Sequence, residues 1–460
     1  MGVQMDEVTA LEKLGEDFGG QLLGSGDPAY DAARQIYNGM IDHRPAVIAR
    51  PAGAADVVAA VEFARESSLP IGVRSGGHSV AGHSMPDEGL VIDLSLMKGV
   101  RVDRDRGTAR AAAGVLWGEY DRETQAFGLH TPGGRVTTTG VGGFTVGGGY
   151  GWTSPKFGLT CDNLVSADVV TADGRLVTAS EDENEDLFWA IRGGGGNFGV
   201  VTSFEYRVHP LGPIVLAGLM IFELERAEDA IAAYRDLFDD APDELATALV
   251  LLNAPPEVFV PEHLHGKPVL GFAVCYAGEP EEGARVVAPL KDAAPAADLV
   301  GPMPYRAFQA MLDPMSPPGL RNYWRGLHLT GLSDDLFETY LRFPPEGLGP
   351  VSFLIMFQHG GAVSRVADDA TAFSHRDATF MIHPIACWEE TAEDEAHMTF
   401  VRDVTDAMQP FTTGGVYLNF MADSDRVQAG YGAGKYERLV ELKRKYDPDN
   451  VFRFNQNIKP

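Results

Sequence analysis

A glycine turn that ends in a histidine contains the residues of this sequence most suited to chemistry. Residues 74–79 read Arg-Ser-Gly-Gly-His-Ser. Gly76 and Gly77 have no side-chain carbon, so the backbone can adopt positive φ and approach a ligand closely. The N–H groups of such a turn bind anions such as a pyrophosphate, and the His78 imidazole can act as base, metal ligand or nucleophile. We predict a cofactor-binding turn; the alternative is an ordinary turn with a surface histidine.

The elements before this turn follow from the spacing of apolar residues. Residues 54–67 place Val57, Val61 and Ala64 on one face of a helix, and Pro70 ends that helix. The next three residues are short and apolar enough for a strand. The glycines therefore fall where a strand gives way to a turn.

Residues 132–151 have the most unusual composition in the chain. Nine of these twenty positions are glycine, interleaved with threonine and without the three-residue period of collagen. Bare backbone alternating with hydroxyl groups suits a chain that lies along an extended, phosphate-bearing ligand. A flexible surface loop is the alternative.

A third glycine cluster, residues 194–199, matches the Gly-x-Gly-x-x-Gly pattern formally. A nicotinamide dinucleotide turn needs a strand before this pattern and a helix after it. Here residues 187–191 are predicted as helix and residues 200–206 as strand, which is the reverse order. We therefore interpret the pattern as a false match for NAD, although its glycines still allow close approach to a cofactor.

The overall composition limits the possible partners. The chain has 460 residues, 45% hydrophobic and 22% charged, which predicts a soluble globular protein of two domains. Its net charge of -28 repels phosphate backbones and anionic lipids, so nucleic-acid and membrane-surface roles are disfavoured. The sequence leaves the oligomeric state open.

The cysteines and the first residues indicate the compartment. Cys161, Cys275 and Cys387 are scattered and odd in number, so neither a disulfide framework nor a zinc site is expected. Residues 1–14 lack the positive start and apolar core of a signal peptide, and no run reaches the length of a membrane span. We predict a cytoplasmic protein that binds no metal.

Helices and strands alternate up to about residue 210, as in a nucleotide-binding unit. Residues 6–43 are predicted as helical in pieces, and a hairpin turn is expected at residues 173–174. The strands predicted in this half are 44–48, 71–73, 89–94, 109–115, 164–170 and 200–206.

The sequence changes character after residue 213. Strands are predicted there at 248–252, 269–275, 351–357 and 379–385, with acidic helices at 226–239 and 280–290. This pattern predicts an antiparallel sheet covered by helices, in a substrate-binding role. A final helix is expected over residues 436–446.

Four separated motifs, taken together, resemble one known family. They are the turn at 74–79, the block 132–163 with its Gly-Leu-Thr-Cys-Asp-Asn ending, residues 186–199, and the tail 446–458. In this order they resemble the vanillyl-alcohol oxidase superfamily, specifically the berberine-bridge-enzyme-like FAD oxidases. The resemblance spans nearly the whole chain.

The resemblance implies an α+β fold with two domains. Residues 1–212 would form the FAD-binding domain, with a PCMH-type core at about 42–211. Residues 213–410 would form the substrate domain of antiparallel sheet covered by helices. Residues 411–460 would be the berberine-bridge-like segment that returns to the FAD domain.

The resemblance also implies how FAD is attached. His78 matches the residue that is bonded covalently to the flavin ring in the family. Many relatives have a second bond through a cysteine, but that position is Val136 here, so a single covalent bond is expected. Cys161 is expected to line the flavin cavity, and a bond from its thiol is the alternative. Thr139 matches the residue that controls the access of O2 to the ring.

The other residues expected to contact FAD follow from the same motifs. They are Arg74, Ser75, Gly76, Gly77, Ser79, His83, Val136, Thr138, Thr139, Gly142, Gly143, Gly148, Gly149, Tyr150, Cys161, Asn163, Gly199, Val200, Asn455 and Asn457.

The oxidation of a carbon that bears a hydroxyl group needs a base for the O–H proton. Tyr417 matches the family's returning strand, on which alternation would place Asn419 on the same face. A phenol needs a nearby cation or hydrogen bonds to act as a base, because its usual pKa is about 10. His383, Tyr150 and Gln358 are the further catalytic candidates, with ordinary packing as the alternative for each.

The predicted function is therefore an FAD-dependent oxidase that acts on a small hydroxylated substrate (an alcohol, sugar or phenol) and on O2. The first alternative is a tailoring enzyme of secondary metabolism that performs oxidative cyclisation or carbon–carbon bond formation. The second alternative is a flavin-binding protein without catalytic activity.

Overall fold

The computed structural model describes residues 11, 13–15, 18–239, 241–423 and 426–460. The prediction for residues 6–43 lies partly outside these residues. Within them, residues 11 and 13–15 are helical, but the chain then forms a strand, Gln21–Leu23, before the short helix Tyr30–Ala33. The strand is an addition to the predicted helical pieces, because it pairs with Val47–Arg50 at a sheet edge.

A four-stranded sheet places the histidine turn at its edge. Its strands stand in the order Gln21–Leu23, Val47–Arg50, Leu90–Asp93 and Ile71–Arg74. The last three are parallel, and the helix Ala54–Glu66 buries Val57 and Val61 completely, as its periodicity predicts. Because the strand ends at Arg74, the glycine turn begins where the sheet ends.

A second, five-stranded sheet is antiparallel throughout. Its order is Val100–Asp103, Thr108–Ala112, Val200–Arg207, Leu164–Val170 and Leu176–Ser180. The predicted hairpin turn is confirmed, with Gly174 at a φ of 82°. The helix Glu185–Ile191 precedes the strand Val200–Arg207, so the reversed order that argues against an NAD turn is also confirmed.

The glycine-rich block contains a helix that the sequence analysis did not predict. It contains the helix Val141–Val146, although glycine is a poor helix former. Tertiary contacts outweigh this propensity, because Val141 and Thr145 are fully buried. The Thr145 hydroxyl also donates to the Val141 carbonyl at 2.7 Å.

The second half of the chain is built on one ten-stranded sheet, called the large sheet below. The predicted antiparallel sheet is confirmed. Its main path runs Ala297–Asp298, Ile214–Glu223, Pro268–Tyr276, Leu245–Asn253, Phe353–Gln358, Phe380–Trp388, Leu327–Leu329 and Thr412–Val416, with Gly301–Pro304 and Arg321–Trp324 pairing beside it.

The two faces of the large sheet have different neighbours. Side chains alternate along a strand, so Leu354 and Met356 share one core with residues of the helices Ala227–Asp239, Asp334–Leu341 and Asp394–Met408. Phe353, Ile355 and Phe357 belong to another core, which includes residues of the glycine block. One face is therefore covered by helices, and the other faces the first half of the chain.

The remaining helices are short or join the sheets. They are Trp117–Gln125, Ser154–Phe157, Pro280–Val286, Ala288–Asp292, Tyr305–Gln309, Ala362–Arg365, Val427–Tyr431 and Ala433–Tyr446. The large sheet includes Thr412–Val416, so it continues past the predicted boundary at residue 410. The domain boundaries themselves stay a prediction. Among the described residues, no helix is long and apolar enough to cross a bilayer.

The last helix fixes the tail through a buried ion pair. Lys443 donates to Asp447 at 2.6 Å, and both side chains are inaccessible to solvent. The same ammonium group donates to the carbonyls of Asn197 and Phe452. Asp447 accepts from the backbone N–H groups of Val451 and Phe452. All these bonds hold the tail against the glycine cluster at residues 194–199.

A second buried ion pair joins the two halves of the chain. Arg376 lies between two strands of the large sheet and donates to both carboxylate oxygens of Asp162, at 2.6 and 3.0 Å. Its side chain is only 3% exposed, and it donates further to Thr371 and Val363. A planar guanidinium that bonds a carboxylate twice fixes distance and angle together.

We expect Arg376→Met to lower the free energy of unfolding by about 3–5 kcal/mol, because it leaves the buried Asp162 carboxylate without its partner. Arg365→Met is the matched control, since the Arg365–Asp243 pair is exposed and such pairs contribute at most about 1 kcal/mol. Urea unfolding at equal flavin content measures both. Equal losses in the two variants would contradict this account of the interface.

Candidate active site

A cavity of about 320 Å³ lies between the histidine turn, the glycine block and the face of the large sheet that carries Phe353, Ile355 and Phe357. It brings together most of the residues predicted to act at the site. Those that line it are Ser75, Gly76, Gly77, His78, Ser79, His83, Val136, Thr139, Gly142, Gly143, Tyr150, Gly199, His383, Asn419 and Asn455.

Backbone-to-backbone packing of two glycines builds one wall of the cavity. A Cβ on Gly76 would lie 2.2 Å from the Gly140 nitrogen, and a Cβ on Gly140 would lie 2.1 Å from the Gly76 nitrogen. Ser75 joins the same contact, because its hydroxyl donates to the Ala113 carbonyl and accepts from the Gly142 N–H. Only glycine fits at this crossing.

His78 is held by its neighbours with one ring nitrogen engaged. Its Nε2 lies 2.9 Å from the Thr138 hydroxyl, and its ring stacks on Tyr37 at 4.3 Å. Enclosure lowers the pKa of His78 to about 4, because desolvation penalises the imidazolium form. The imidazole is therefore neutral at pH 7, and Nδ1 makes no hydrogen bond within the described part of the chain.

The cavity wall fits a large polar cofactor such as FAD. The buried polar atoms His83 Nδ1, Ser84 Oγ and Asn455 Oδ1 have no hydrogen-bond partner among the described residues, and all three residues line the cavity. A Cβ on Gly143 or Gly196 would meet nothing within 4 Å, so bare backbone borders open space at both positions. Unpaired polar atoms and open glycine backbone are what an extended ligand with many polar groups requires.

His383 faces the same cavity from the large sheet. It is 4% exposed, and neither ring nitrogen has a partner in the described structure. Its ring stacks on Phe420 at 3.8 Å and meets Trp324 edge to face at 5.7 Å. Burial, and then the charge of Arg135, lower the pKa of His383 well below its usual value. It is a neutral imidazole with free nitrogen atoms.

Tyr417 does not line the cavity, contrary to the position expected from the sequence. The strand ends at Val416, so alternation no longer applies, and a 3-10 turn, Leu418–Phe420, follows. The Tyr417 hydroxyl accepts from the Gly149 N–H and from the Asn419 amide, both at 3.1 Å. These bonds favour a phenolate, but burial outweighs them and raises the pKa of Tyr417 to about 12.

Gln358, a catalytic candidate from the sequence, does not line the cavity. Phe357 points to the cavity, so Gln358 points to the helix-covered face, where its amide oxygen accepts from Thr247 at 3.0 Å. The face of the sheet to which a strand residue points depends on the register of that strand, and the sequence did not reveal the register.

Cys161 and Asn163 lie behind the cavity wall, so their predicted contact with the cavity is not seen. Burial raises the pKa of Cys161, whose thiol makes a 3.7 Å contact with Asp162. The Asn163 amide donates to two carbonyls of its own loop, each at 2.8 Å. Next to them, the Thr160 hydroxyl donates to Pro132 at 2.5 Å and so braces the glycine block.

Other predicted contact residues also lie outside the cavity wall. Arg74 donates to the Ala33 carbonyl at 2.6 Å, and Thr138 reaches the site only through His78. The residues in this group are Arg74, Thr138, Gly148, Gly149, Val200 and Asn457.

Several aromatic residues and one basic residue of the cavity were not predicted from the sequence. Tyr37, Trp324 and Phe357 line it, and Arg135 is the one positively charged side chain among its described lining residues. Arg135 stands inside the glycine block, where its charge among glycines and threonines was an available signal. The aromatic residues come from segments whose orientation only tertiary structure defines.

Comparison with known proteins agrees with this geometry. The family model described as an FAD binding domain matches residues 45–180, and the one described as berberine and berberine like matches residues 416–459. An FAD-linked oxidoreductase of Dictyostelium discoideum is 32% identical over 426 residues, which is 90% of this chain and 89% of that protein. An uncharacterized FAD-linked oxidoreductase of Bacillus subtilis is 32% identical over 96% of this chain and 98% of that protein.

Two further similarities involve enzymes with named substrates. (R)-6-hydroxynicotine oxidase of Paenarthrobacter nicotinovorans is 30% identical over 96% of this chain and 97% of that protein. The crystal structure of 6-hydroxy-D-nicotine oxidase from Arthrobacter nicotinovorans has a TM-score of 0.86 and 29% identity, covering 96% of this chain and 98% of that one. The shared features define an FAD-linked oxidoreductase with a PCMH-type fold. The chain belongs to the berberine-bridge-enzyme-like family of these oxidoreductases, so the alternative of a flavin-binding protein without catalytic activity is not retained.

We expect Gly76→Ala and Gly143→Ala to act in opposite ways on stability. Gly76→Ala forces backbone apart and should lower the free energy of unfolding by about 1–3 kcal/mol and the flavin content with it. Gly143→Ala should raise the stability of the flavin-free protein by about 0.5–1 kcal/mol, because alanine favours the helix, yet lower the flavin content by intruding on the cavity.

Gly434→Ala is the control, because this position is also helical and open but lies outside the cavity. It should gain stability and keep its flavin. Flavin-to-protein ratios and urea unfolding provide both readouts. Full flavin content in Gly143→Ala would contradict the assignment of this wall.

Proposed function

We propose that this chain is an oxidase that uses FAD to remove two electrons from a hydroxylated organic substrate and reduces O2 to H2O2. The overall reaction is R2CHOH + O2 → R2CO + H2O2, so both hydrogens removed from the substrate end in the peroxide. The observation that carries the proposal is His383, a neutral imidazole without partners that faces the same glycine-lined cavity as His78.

FAD, when bound, supplies the acceptor for the hydride of the substrate's C–H bond. The residues proposed to hold it are those that the family motifs and the cavity wall share. They are Ser75, Gly76, Gly77, His78, Ser79, His83, Val136, Thr139, Gly142, Gly143, Tyr150, Gly199 and Asn455.

The proposed covalent attachment is single and uses His78. Its Nε2 is engaged by Thr138, which leaves Nδ1 as the nucleophilic nitrogen. Val136 lines the cavity at the position of the family's second link and has no nucleophile. Cys161, the alternative thiol, is buried behind the wall and its pKa is raised, so it is neither placed nor ionised for a bond.

Proton removal is assigned to His383 in this proposal. Tyr417 is a weaker candidate, because its hydroxyl lies behind the wall. Tyr417 and Asn419 act as positioning residues: the Asn419 amide donates both to Tyr417 and to the Phe144 carbonyl in the glycine block. These bonds fix the cavity-lining turn that also carries Phe420, on which His383 stacks.

Two observations support the remaining parts of the proposal. Thr139, the position linked to O2 access by resemblance, lines the cavity with a small side chain. The thiols of Cys161, Cys275 and Cys387 are all buried and unpaired, which is compatible with the proposed cytoplasmic location.

An anaerobic panel of alcohols, sugars, phenols and hydroxy acids tests the function, with bleaching of the flavin as the readout. A substrate that bleaches the flavin should release one H2O2 per carbonyl product when air is admitted. A product with a new ring or carbon–carbon bond would instead establish the alternative of a tailoring enzyme.

We expect the His78→Ala protein to release its flavin on acid precipitation, whereas the wild-type pellet stays yellow. His83→Ala is the matched control, because this second histidine also lines the cavity but should keep the covalent link. The absorbance of pellet and supernatant near 450 nm (about the usual flavin maximum) measures the outcome. A yellow pellet from His78→Ala would refute attachment at this residue.

We expect His383→Gln to slow anaerobic bleaching by about 10²- to 10⁴-fold with unchanged flavin content, because it removes the proton acceptor. The control His397→Gln alters a histidine that stacks on Trp388 away from the cavity, and it should leave the rate unchanged.

The pH profile of the same bleaching rate separates the two candidate bases. The base must be unprotonated, and the pKa of His383 lies well below 6.5. The bleaching rate should therefore be independent of pH at and above pH 6.5 and should fall only at lower pH. Arg135 is the charged group that faces His383, and it remains cationic over this range. A rate that keeps rising in alkaline solution would instead favour Tyr417, whose pKa is about 12.

A further inference from the structure

Arg135 is a buried cation without an anionic partner among the residues that the structure describes. Its side chain lines the cavity and is only 8% exposed, and its Nε makes no hydrogen bond within the described chain. No carboxylate of the described residues forms an ion pair with it. By contrast, the comparably buried Arg376 bonds the Asp162 carboxylate twice.

Aromatic rings surround the Arg135 guanidinium. Its central carbon lies 3.8 Å from the centre of the Phe357 ring and 4.7 Å from each of the Tyr150 and Trp152 rings. Within the described residues, the Tyr150 hydroxyl is the one side-chain group that hydrogen-bonds the guanidinium. Aromatic faces attract a cation, but they leave most of the five N–H donors of a guanidinium without acceptors.

The charge persists at neutral pH despite this burial. Desolvation lowers the pKa of Arg135 only to about 10, so the guanidinium stays protonated under physiological conditions. A buried charge is costly unless an opposite charge or further hydrogen bonds compensate it. This destabilising charge lies at the cavity wall, where a ligand can supply the opposite charge.

The guanidinium also faces the proposed proton acceptor. Its charge contributes to the lowered pKa of His383, and the Phe357 ring lies 3.8 Å from the guanidinium carbon and 6.4 Å from the His383 ring. Arg135 and His383 line the same cavity, so a ligand bound to the guanidinium occupies the cavity that the imidazole also faces.

We propose that Arg135 binds a carboxylate of the substrate, so that the substrate is a hydroxylated carboxylic acid with an apolar or aromatic body. The planar guanidinium matches a carboxylate in a two-bond arrangement. A single cation among aromatic rings suits one negative charge better than a doubly charged phosphate. The presence of a hydroxyl group on the substrate rests on the proposed function. The carboxylate-binding role of Arg135 does not depend on that function.

The negative net charge of the chain affects how an anionic substrate can be attracted to the site. With -28 overall, the surface repels anions, so attraction of a carboxylate has to come from a local group inside the cavity. The aromatic rings then bind the apolar body of the same molecule.

Benzoate and the nearly isosteric, neutral benzamide test the anion site without turnover. The holoenzyme is titrated with each at constant ionic strength, and the flavin visible spectrum and the melting temperature report binding. Wild-type protein should bind benzoate about 10- to 100-fold more tightly than benzamide, as expected for a charge-assisted bond. Arg135→Met should bring the two affinities close together, and Arg135→Lys should keep part of the difference.

Arg438→Met is the matched control, because Arg438 also lies over an aromatic ring, that of Trp189, but on the surface. It changes the net charge equally and should leave benzoate binding unchanged. Equal or undetectable binding of both probes by wild type, or an unchanged benzoate preference in Arg135→Met, would overturn the proposal. The proposal would also be overturned if Arg135→Met changed the flavin spectrum of the ligand-free protein and left the benzoate preference intact. Arg135 would then interact with the cofactor and not with the substrate. If Arg135→Met fails to fold, the wild-type comparison and Arg135→Lys decide.

Anaerobic bleaching by mandelate and mandelamide separates this inference from the proposed function. Faster bleaching by mandelate, lost in Arg135→Met, supports both. Arg135-dependent benzoate binding without bleaching by any hydroxylated compound would retain the anion site and overturn the oxidase. Equal bleaching by the acid and its amide would retain the oxidase and overturn the anion site.

Discussion

The close crossing of two glycine segments is the constraint on which the rest of this structure depends. At Gly76 and Gly140 the two backbones approach so closely that neither position has room for a methyl group. This crossing brings the end of a parallel sheet against the start of a glycine-containing helix. It sets where His78 stands, and Thr138, two residues before Gly140, then engages its ring. The histidine turn and the glycine block form one cavity wall because their backbones are in contact at these two glycines.

The opposite wall depends on a different constraint, the alternation of side chains along the large sheet. Phe353, Ile355 and Phe357 share the cavity face, and antiparallel pairing places His383 directly opposite Ile355. The other face is committed to helices through Leu354 and Met356. A shift of one residue in either strand would exchange the cavity lining for core residues. The buried Arg376–Asp162 ion pair helps to fix the position of the two cavity walls relative to each other.

Much of the fold and many of the residues that line the cavity could be predicted, because both depend on local patterns. The glycine motifs, the histidine turn and the strands with continuous apolar runs are visible within a few residues. The helix Val141–Val146 was missed because its stability comes from tertiary burial, which outweighs the poor propensity of its glycines. Tyr417 and Gln358 were misplaced because side-chain direction depends on where a strand ends and in which register it pairs. The charge of Arg135 among glycines and threonines was visible in the sequence, but its lack of an anionic partner among the described residues is a property of the three-dimensional surroundings.

The buried ion pair between Lys443 and Asp447 determines at which stage of synthesis the cavity can form. It holds Phe452 and the following Asn455, which lie in the same wall as Ser75 but about 380 positions later in the chain. During synthesis the ribosome releases the histidine turn long before these residues emerge. An unfinished polypeptide therefore contains the histidine turn without the tail residues that complete the cavity, so the full cavity forms only after translation is complete.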